Sequence, residues 1–326
     1  MTSKRIFVTG ASGCIGHYIV ESLIQNTQHE LFLLVRSPNK LKFDVQARPG
    51  ITVLQADVRE IEQYKDLLQT IDCAIVAHTD WGSEDVHEIN VVSTIKLMNL
   101  LDPDRCEQVI YFSTASILSR ENEILKEADE IGSPYIQSKY RCHEKLSELA
   151  IEGIAPKLTT LFPTLVLGGG DRYPYSHLSS GIADVMKWIK LIRFLSAEGS
   201  FHFIHGYDIA QVVLYLIQHP ATERRDLVLG NEALTVDQTI EAASTYFSQR
   251  IYFRVPLSLR LADFLIFLFR IQMGDWEHFS LHYRYFTYQN VVSPATFGMT
   301  TYCSTLYDVF KLSGLPNGRS QKKRSS

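Results

Sequence analysis

The sequence predicts an α/β protein built on a doubly wound parallel sheet, with a smaller lobe formed by the C-terminal part of the chain. Three observations carry that expectation. Up to about residue 170, short apolar runs alternate with helical patterns; strands and helices alternating at this spacing form parallel sheets through right-handed crossovers. The first apolar run, Ile6 to Val8, leads into Thr9-Gly-Ala-Ser-Gly13-Cys-Ile-Gly16 and then the helical repeat Ile15, Ile19, Leu23. After residue 170 the alternation loosens into loops rich in Gly, Tyr and Ser around Gly168–Gly181.

Strands are expected at Ile6–Thr9, Glu30–Val35, Thr52–Gln55, Cys73–Ala77, Gln108–Ser113 and Leu158–Leu167. Helices are expected over Cys14–Gln25, Glu60–Gln69, Val86–Leu101 and Ser133–Ile151. Ser133 can cap the last of these, Pro134 suits its first position, and Gly153 follows its last turn. The lobe then shows an amphipathic segment at Ile182–Leu195, a strand at Ser200–His205, and a helix start at Thr235–Gln238 with capping-box spacing. No repeat or linker separates independent units. The expected division is 1–167 for the sheet domain, 168–318 for a partly interleaved lobe, and a disordered basic tail at 319–326.

Composition narrows the function classes. Hydrophobic residues at 45% and charged residues at 21% describe a globule with ample core. A net charge of −4 gives no electrostatic case for a nucleic-acid partner. Five scattered cysteines without CxxC spacing suit free thiols in a reducing compartment. No charged-then-apolar leader precedes the first strand, so the expectation is a cytoplasmic protein. The histidines show no metal spacing, and no metal is expected. Leu257–Met273 is very apolar, yet it is too short and too charged (Arg260, Asp263, Arg270) to span a membrane. Its charges fall on one side of a helical wheel, and packing of the apolar side against the protein is expected. The alternatives are a wall for an apolar substrate and a patch resting peripherally on a membrane.

The glycine turn carries the first chemistry. Glycines permit positive φ and close approach to the backbone, while a helix N-terminus offers free N–H groups and partial positive charge. Gly10, Ser12, Gly13, Cys14, Ile15 and Gly16 are therefore expected to bind a dinucleotide pyrophosphate. At the end of the second strand Val35 stands where an acid would accept ribose hydroxyls, with Arg36 next and Lys40 nearby. Cations there suit a 2′-phosphate, so NADP(H) is favoured over NAD(H). Further along, Tyr135 and Lys139 lie one helical turn apart on the same face.

These motifs in this order resemble the extended short-chain dehydrogenase/reductase family, also called the NAD-dependent epimerase/dehydratase family. The resemblance runs from the glycine turn through Ala56-Asp57-Val58, Asn90, Ser113–Ser116, Tyr135/Lys139 and Phe162-Pro163…Gly168 to His205–Ala210. It implies a Rossmann sheet whose Tyr135 is the acid/base, with Lys139 as electrostatic partner and ribose clamp. It also implies Thr114 as the oxygen-orienting hydroxyl, with Ser113 and Ser116 as fallbacks. A neighbouring ammonium would bring the phenol toward working pH. By the same resemblance Asp57 and Val58 meet the adenine, and Ala77, His78, Thr79, Phe162 and Pro163 line the cofactor.

Nucleotide-sugar members carry arginines at positions that here hold Phe201 and Phe162, and 4,6-dehydratases follow their threonine with Asp-Glu, where Ala115-Ser116 stands. Both departures argue against a nucleotide sugar. Trp188, Phe194, Phe264, Phe267, Phe269 and Trp276 give the lobe an aromatic character that suits a moderately apolar small molecule. The Val255-Pro256 layout followed by an apolar helix is similar to the dihydroflavonol-reductase and 3β-hydroxysteroid-dehydrogenase branches. The expected activity is a ketone/secondary-alcohol oxidoreduction. A nucleotide-sugar epimerase and a non-catalytic dinucleotide-binding regulator are the alternatives. Family members often pair the helices holding Asn90–Leu101 and Tyr135–Ala150, which implies a homodimer by analogy.

Overall fold

The computed structural model describes residues 3–151, 157–268, 272–313 and 315. The expected tail at 319–326, Gly153, Phe269 and Arg270 lie outside the described residues.

Seven parallel strands form the main sheet: β1 (Arg5–Thr9), β2 (Glu30–Val35), β3 (Ile51–Gln55), β4 (Cys73–Val76), β5 (Gln108–Phe112), β6 (Leu158–Pro163) and β7 (Arg225–Leu229). Their order is β7-β6-β5-β4-β1-β2-β3. Chain order reverses between β1 and β4, the position where doubly wound sheets open a ligand crevice.

Alternation along β1 feeds two cores. Ile6 and Val8 point into one layer, with Ile19 and Leu23 of α1 (Cys14–Asn26) and Val212, Val213 and Leu216 of α5 (Gly206–Gln218). Phe7 points into the other, with Leu97 and Met98 of α2 (Ser93–Leu100) and Cys142 and Leu146 of α3 (Pro134–Ile151). Each fully buried Leu, Ile or Phe contributes roughly 1.5–3 kcal/mol, so both faces anchor the crevice that they frame. Ser133 caps α3 as expected, its hydroxyl accepting from the Ile136 N–H at 3.4 Å.

The lobe adds α4 (His177–Lys187), α6 (Val236–Tyr246), α7 (Leu259–Leu268) and α8 (Asp275–Tyr283). The capping box at Thr235 and Gln238 is present.

Several expectations change. The segment Leu158–Leu167 is not one strand. Pro163 lacks an N–H to continue the ladder, and Thr164 turns both its N–H and its hydroxyl to the Leu229 carbonyl, at 3.0 and 2.8 Å. Leu165–Leu167 then pairs with Phe203–His205 in a separate two-stranded sheet. Ser200–His205 likewise divides at His202, whose Nδ1 reaches the Asn231 carbonyl at 2.7 Å. Glu60–Gln69 is a 3₁₀ stretch (Val58–Tyr64) capped by Asp57, followed by the single α-turn Lys65–Leu68. Val86–Leu101 contains a π-type widening at Glu88–Val92 before α2 begins. The amphipathic segment of the lobe starts earlier, at His177, because Ser176 accepts from the Ser179 N–H.

Candidate active site

The glycine turn has the form that the sequence predicts. Gly10 adopts φ 73°, and a Cβ there would sit 2.5 Å from the Ala77 backbone. A Cβ on Gly16 would clash with the Gly10 carbonyl. At Gly13 a Cβ would meet only the Gly10 oxygen, at 3.4 Å, so the space over the turn is free of protein. Gly13 caps α1 without a side chain, and the first turn holds no acidic residue. The first intrahelical donor is His17, to the Gly13 carbonyl at 3.0 Å, which leaves the N–H groups of Cys14, Ile15 and Gly16 for a ligand. This cradle fits a dinucleotide pyrophosphate, with Ser12 half-buried beside it.

At the ends of β2 and β3, Arg36 is two-thirds exposed, with Nη1 3.9 Å from the Asp57 carboxylate. Lys40 is exposed on the turn Pro38–Lys40. Asp57 is already engaged: it accepts from Nε and Nη2 of Arg59 at 3.0 and 3.1 Å and caps the following turn. The Arg59 guanidinium holds its carboxyl below the usual range. Val58 is buried in the second core and leaves little surface for an adenine ring.

Beyond β4, Ala77 is half-buried and His78 is a core histidine. The Nε2 of His78 contacts the Ile89 carbonyl at 3.1 Å, and its Nδ1 contacts the Thr9 hydroxyl at 2.8 Å. A carbonyl only accepts, so the neutral Nε2–H form satisfies both contacts. Burial pushes this imidazole down to about 4. Thr79 Oγ1 is buried without a partner, a polar atom left free at the crevice.

The catalytic candidates converge. Lys139 is buried on α3 and donates from Nζ to the Phe112 carbonyl, at the end of β5, at 2.8 Å. Burial pushes its ammonium down to about 8. Tyr135 stands one turn earlier. Its phenol is pushed up to about 12 by burial, while the Thr114 hydroxyl beside it pulls the other way. In this structure burial outweighs any lowering of the phenol by the amine, which is directed at the Phe112 carbonyl. Thr114 Oγ1 also accepts from the Ser116 N–H and lies 3.3 Å from the Ser116 hydroxyl. Ser113 Oγ is buried and unpartnered. Phe162 turns its ring into the core, edge-on to His143 with centroids 5.2 Å apart. That leaves backbone, with Pro163, at the end of β6.

Two residues gain roles that the sequence reading missed. The indole of Trp81 stacks on the Tyr135 ring, centroids 4.2 Å apart, and lies 5.1 Å from the His177 ring of α4. Asn90 holds that loop in place. Its Oδ1 accepts from the Asp80 N–H at 2.7 Å, and its Nδ2 donates to the Asp80 carbonyl and to Ser138 Oγ, both at 2.8 Å. A large aromatic in the polar Thr79–Asp85 segment, directly after a strand end, was the available signal. The histidine spacing also needs correcting, since His278 and His282 lie four apart on α8. With Asp263 they bring one ligand atom each within 4.8 Å of one another, and the His282–Asp263 contact is 3.7 Å.

A profile of the NAD dependent epimerase/dehydratase family matches residues 6–230. A sterol-4-alpha-carboxylate 3-dehydrogenase (decarboxylating) of Dictyostelium discoideum is 27% identical over 198 residues, which cover 57% of this chain and 60% of that protein. Short-chain dehydrogenase/reductase family 42E member 1 of Xenopus laevis is 25% identical over 305 residues, 85% of this chain and 75% of the relative. Among solved structures, a dTDP-glucose 4,6-dehydratase of Bacillus anthracis in complex with NAD superposes with TM-score 0.66 at 13% identity, covering 96% of both chains. That likeness speaks for the fold. The chain belongs to the NAD dependent epimerase/dehydratase family.

Proposed function

We propose that this enzyme interconverts a ketone and a secondary alcohol on a moderately apolar small molecule, with NADP(H) as its cofactor. The observation that carries the reading is the convergence of Tyr135, Thr114 and Lys139 at the C-terminal end of β5. When bound, the nicotinamide supplies or accepts hydride. In the reductive direction the carbonyl carbon gains that hydride, and the Tyr135 hydroxyl gives its proton to the substrate oxygen. Thr114 orients the same oxygen and shares its developing charge. Lys139, fixed by the Phe112 carbonyl, retains N–H groups for the nicotinamide ribose.

Arg36 and Lys40 support NADP(H): both are exposed cations at the end of β2, where Val35 offers no carboxylate. Phe201 and Phe162 support an apolar substrate, since they stand where nucleotide-sugar members keep cations. The sterol dehydrogenase relative and the similarity to dihydroflavonol-reductase and 3β-hydroxysteroid-dehydrogenase layouts favour the same class. Retention of both Tyr135 and Lys139 favours turnover over a regulatory role. A homodimer through α2 and α3 is proposed by family analogy, and sedimentation velocity tests it.

The test incubates purified protein with NADPH or NADH and a panel of steroid ketones, flavanones, simple ketones and UDP-glucose, following loss of reduced nicotinamide. Oxidation of NADPH with an apolar ketone supports the reading. Conversion of UDP-glucose without net cofactor consumption overturns it in favour of an epimerase.

A further inference from the structure

The lobe presents an apolar strip that nothing in the described chain covers. Trp188 and Leu191 are 64% and 60% exposed, Phe253 61%, and Phe264, Phe267 and Leu268 of α7 55%, 81% and 56%. One ladder and one ring stack join the segments that carry them. Leu195 pairs with Val255 in a short parallel ladder, and Phe194 stacks on Phe253 with centroids 4.8 Å apart. That ladder ties the Trp188–Ile192 turn to the segment leading into α7. Among the described side chains of α7, Ala262 alone is buried, and Phe264 and Phe267 stand outward on the side of the helix that carries Arg260 and Asp263. Single exposed apolar residues are ordinary, but a contiguous set of large ones marks an interaction surface.

Charge decides what the strip fits. Lys190, Arg250 and Arg260 are exposed along it, and Arg193 lies half-buried between them, donating to the Arg250 carbonyl at 3.0 Å. Lys187 is paired with Asp184 at 2.6 Å, and Asp263 faces His282. The strip therefore carries excess positive charge on a chain whose net charge is −4. A second copy docked through the same strip would bring these cations against their own images. An anionic lipid surface instead offers headgroups to the cations and an acyl boundary to the indole and phenyl rings. No described helix is long and apolar enough to cross a membrane, which leaves attachment in the interface plane.

We propose that this strip, centred on Phe264 and Phe267, is a peripheral docking site for anionic membranes. The inference rests on exposure and charge and stands apart from the assignment of the reaction.

Co-sedimentation of the full chain with extruded vesicles tests it, comparing phosphatidylcholine alone with phosphatidylcholine mixed with phosphatidylglycerol. The protein is expected to pellet with the mixed vesicles, with partitioning at least about tenfold lower on pure phosphatidylcholine. The double variant Phe264→Ser/Phe267→Ser should lose binding by about tenfold or more while keeping the parent circular dichroism and thermal midpoint. The variant Lys190→Glu/Arg260→Glu should lose preference for the anionic vesicles. Equal partitioning of parent and Phe264→Ser/Phe267→Ser overturns the proposal. So does absence of binding to either vesicle. A dimer in sedimentation velocity that the phenylalanine variant splits would also overturn it, by assigning the strip to a second copy.

Discussion

The indole of Trp81 covers the ring of Tyr135, the two planes 27° apart with centroids at 4.2 Å. Asn90 fixes this arrangement by holding Asp80 and Ser138, three residues along α3 from Tyr135, with the same Nδ2. Burial is what raises the phenol to about 12, and Trp81 is part of that cover. Trp81→Ala should therefore admit water and bring the phenol down toward its ordinary value. The basic limb of the pH profile of kcat/KM should move to lower pH, while Trp81→Phe keeps the parent profile. An unmoved limb in Trp81→Ala would show that the indole does not govern the phenol.

Lys139 titrates near 8 because its ammonium is buried. Its charge is present below that value and is lost as pH rises through it. Dinucleotide affinity should follow the same course, falling above pH 8 if the ammonium clamps the ribose. Lys139→Met should remove both the clamp and the pH dependence, weakening affinity about tenfold or more, the scale of a hydrogen bond to a charged group. Nicotinamide fluorescence titrations across pH measure this directly.

Arg36 and Lys40 decide between the two cofactors. Arg36→Ala should weaken NADPH binding by roughly tenfold while changing NADH binding by less than about threefold, because the lost contact is to a phosphate that NADH lacks. Equal losses for both dinucleotides would place Arg36 outside the ribose-phosphate site.

Two histidines set an acid limit on stability. His78 and His205 are buried and both are held down to about 4, burial being the leading cause. The unfolded chain binds protons at these positions from about pH 6.5 downward, whereas the folded chain resists them until about pH 4. Stability should fall as pH drops through that window. Asp208, which burial raises to about 6, opposes the trend in part, since its proton favours the folded state from about pH 6 down to the ordinary carboxylate range. Thermal midpoints measured from pH 7 to pH 4 should decline, and the imidazole resonances of both histidines should remain neutral above pH 5. Titration of either near its ordinary value would contradict the assignment.

The legible parts of this chain are those where a local pattern and its tertiary use coincide. β1, the glycine turn and α1 follow from alternating Ile6, Phe7 and Val8 and from glycines that the turn requires at Gly10 and Gly16. Tyr135 and Lys139 share a face because the helix period puts them there. What sequence could not show depends on distant partners. Thr164 breaks an apolar run because the Leu229 carbonyl takes its donors, and β7 itself is too short and too polar at Arg225 and Asp226 to stand out. Trp81 lies in a polar loop whose meaning comes from Tyr135 and Asn90. The α7 pattern marked an apolar side, but not that Phe264 and Phe267, beside Arg260, face outward. The resemblance implies Asp57 at the adenine, and the structure adds Arg59, two residues on, engaging the same carboxylate.

The central claim is that the Tyr135 phenol delivers the proton in ketone reduction, and single-turnover reduction of a steroid ketone by NADPH tests it most directly. Tyr135→Phe should bind NADPH with parent affinity and slow hydride transfer by about 10²-fold or more, the scale of a lost general acid. Hydride transfer at the parent rate in Tyr135→Phe would contradict the account.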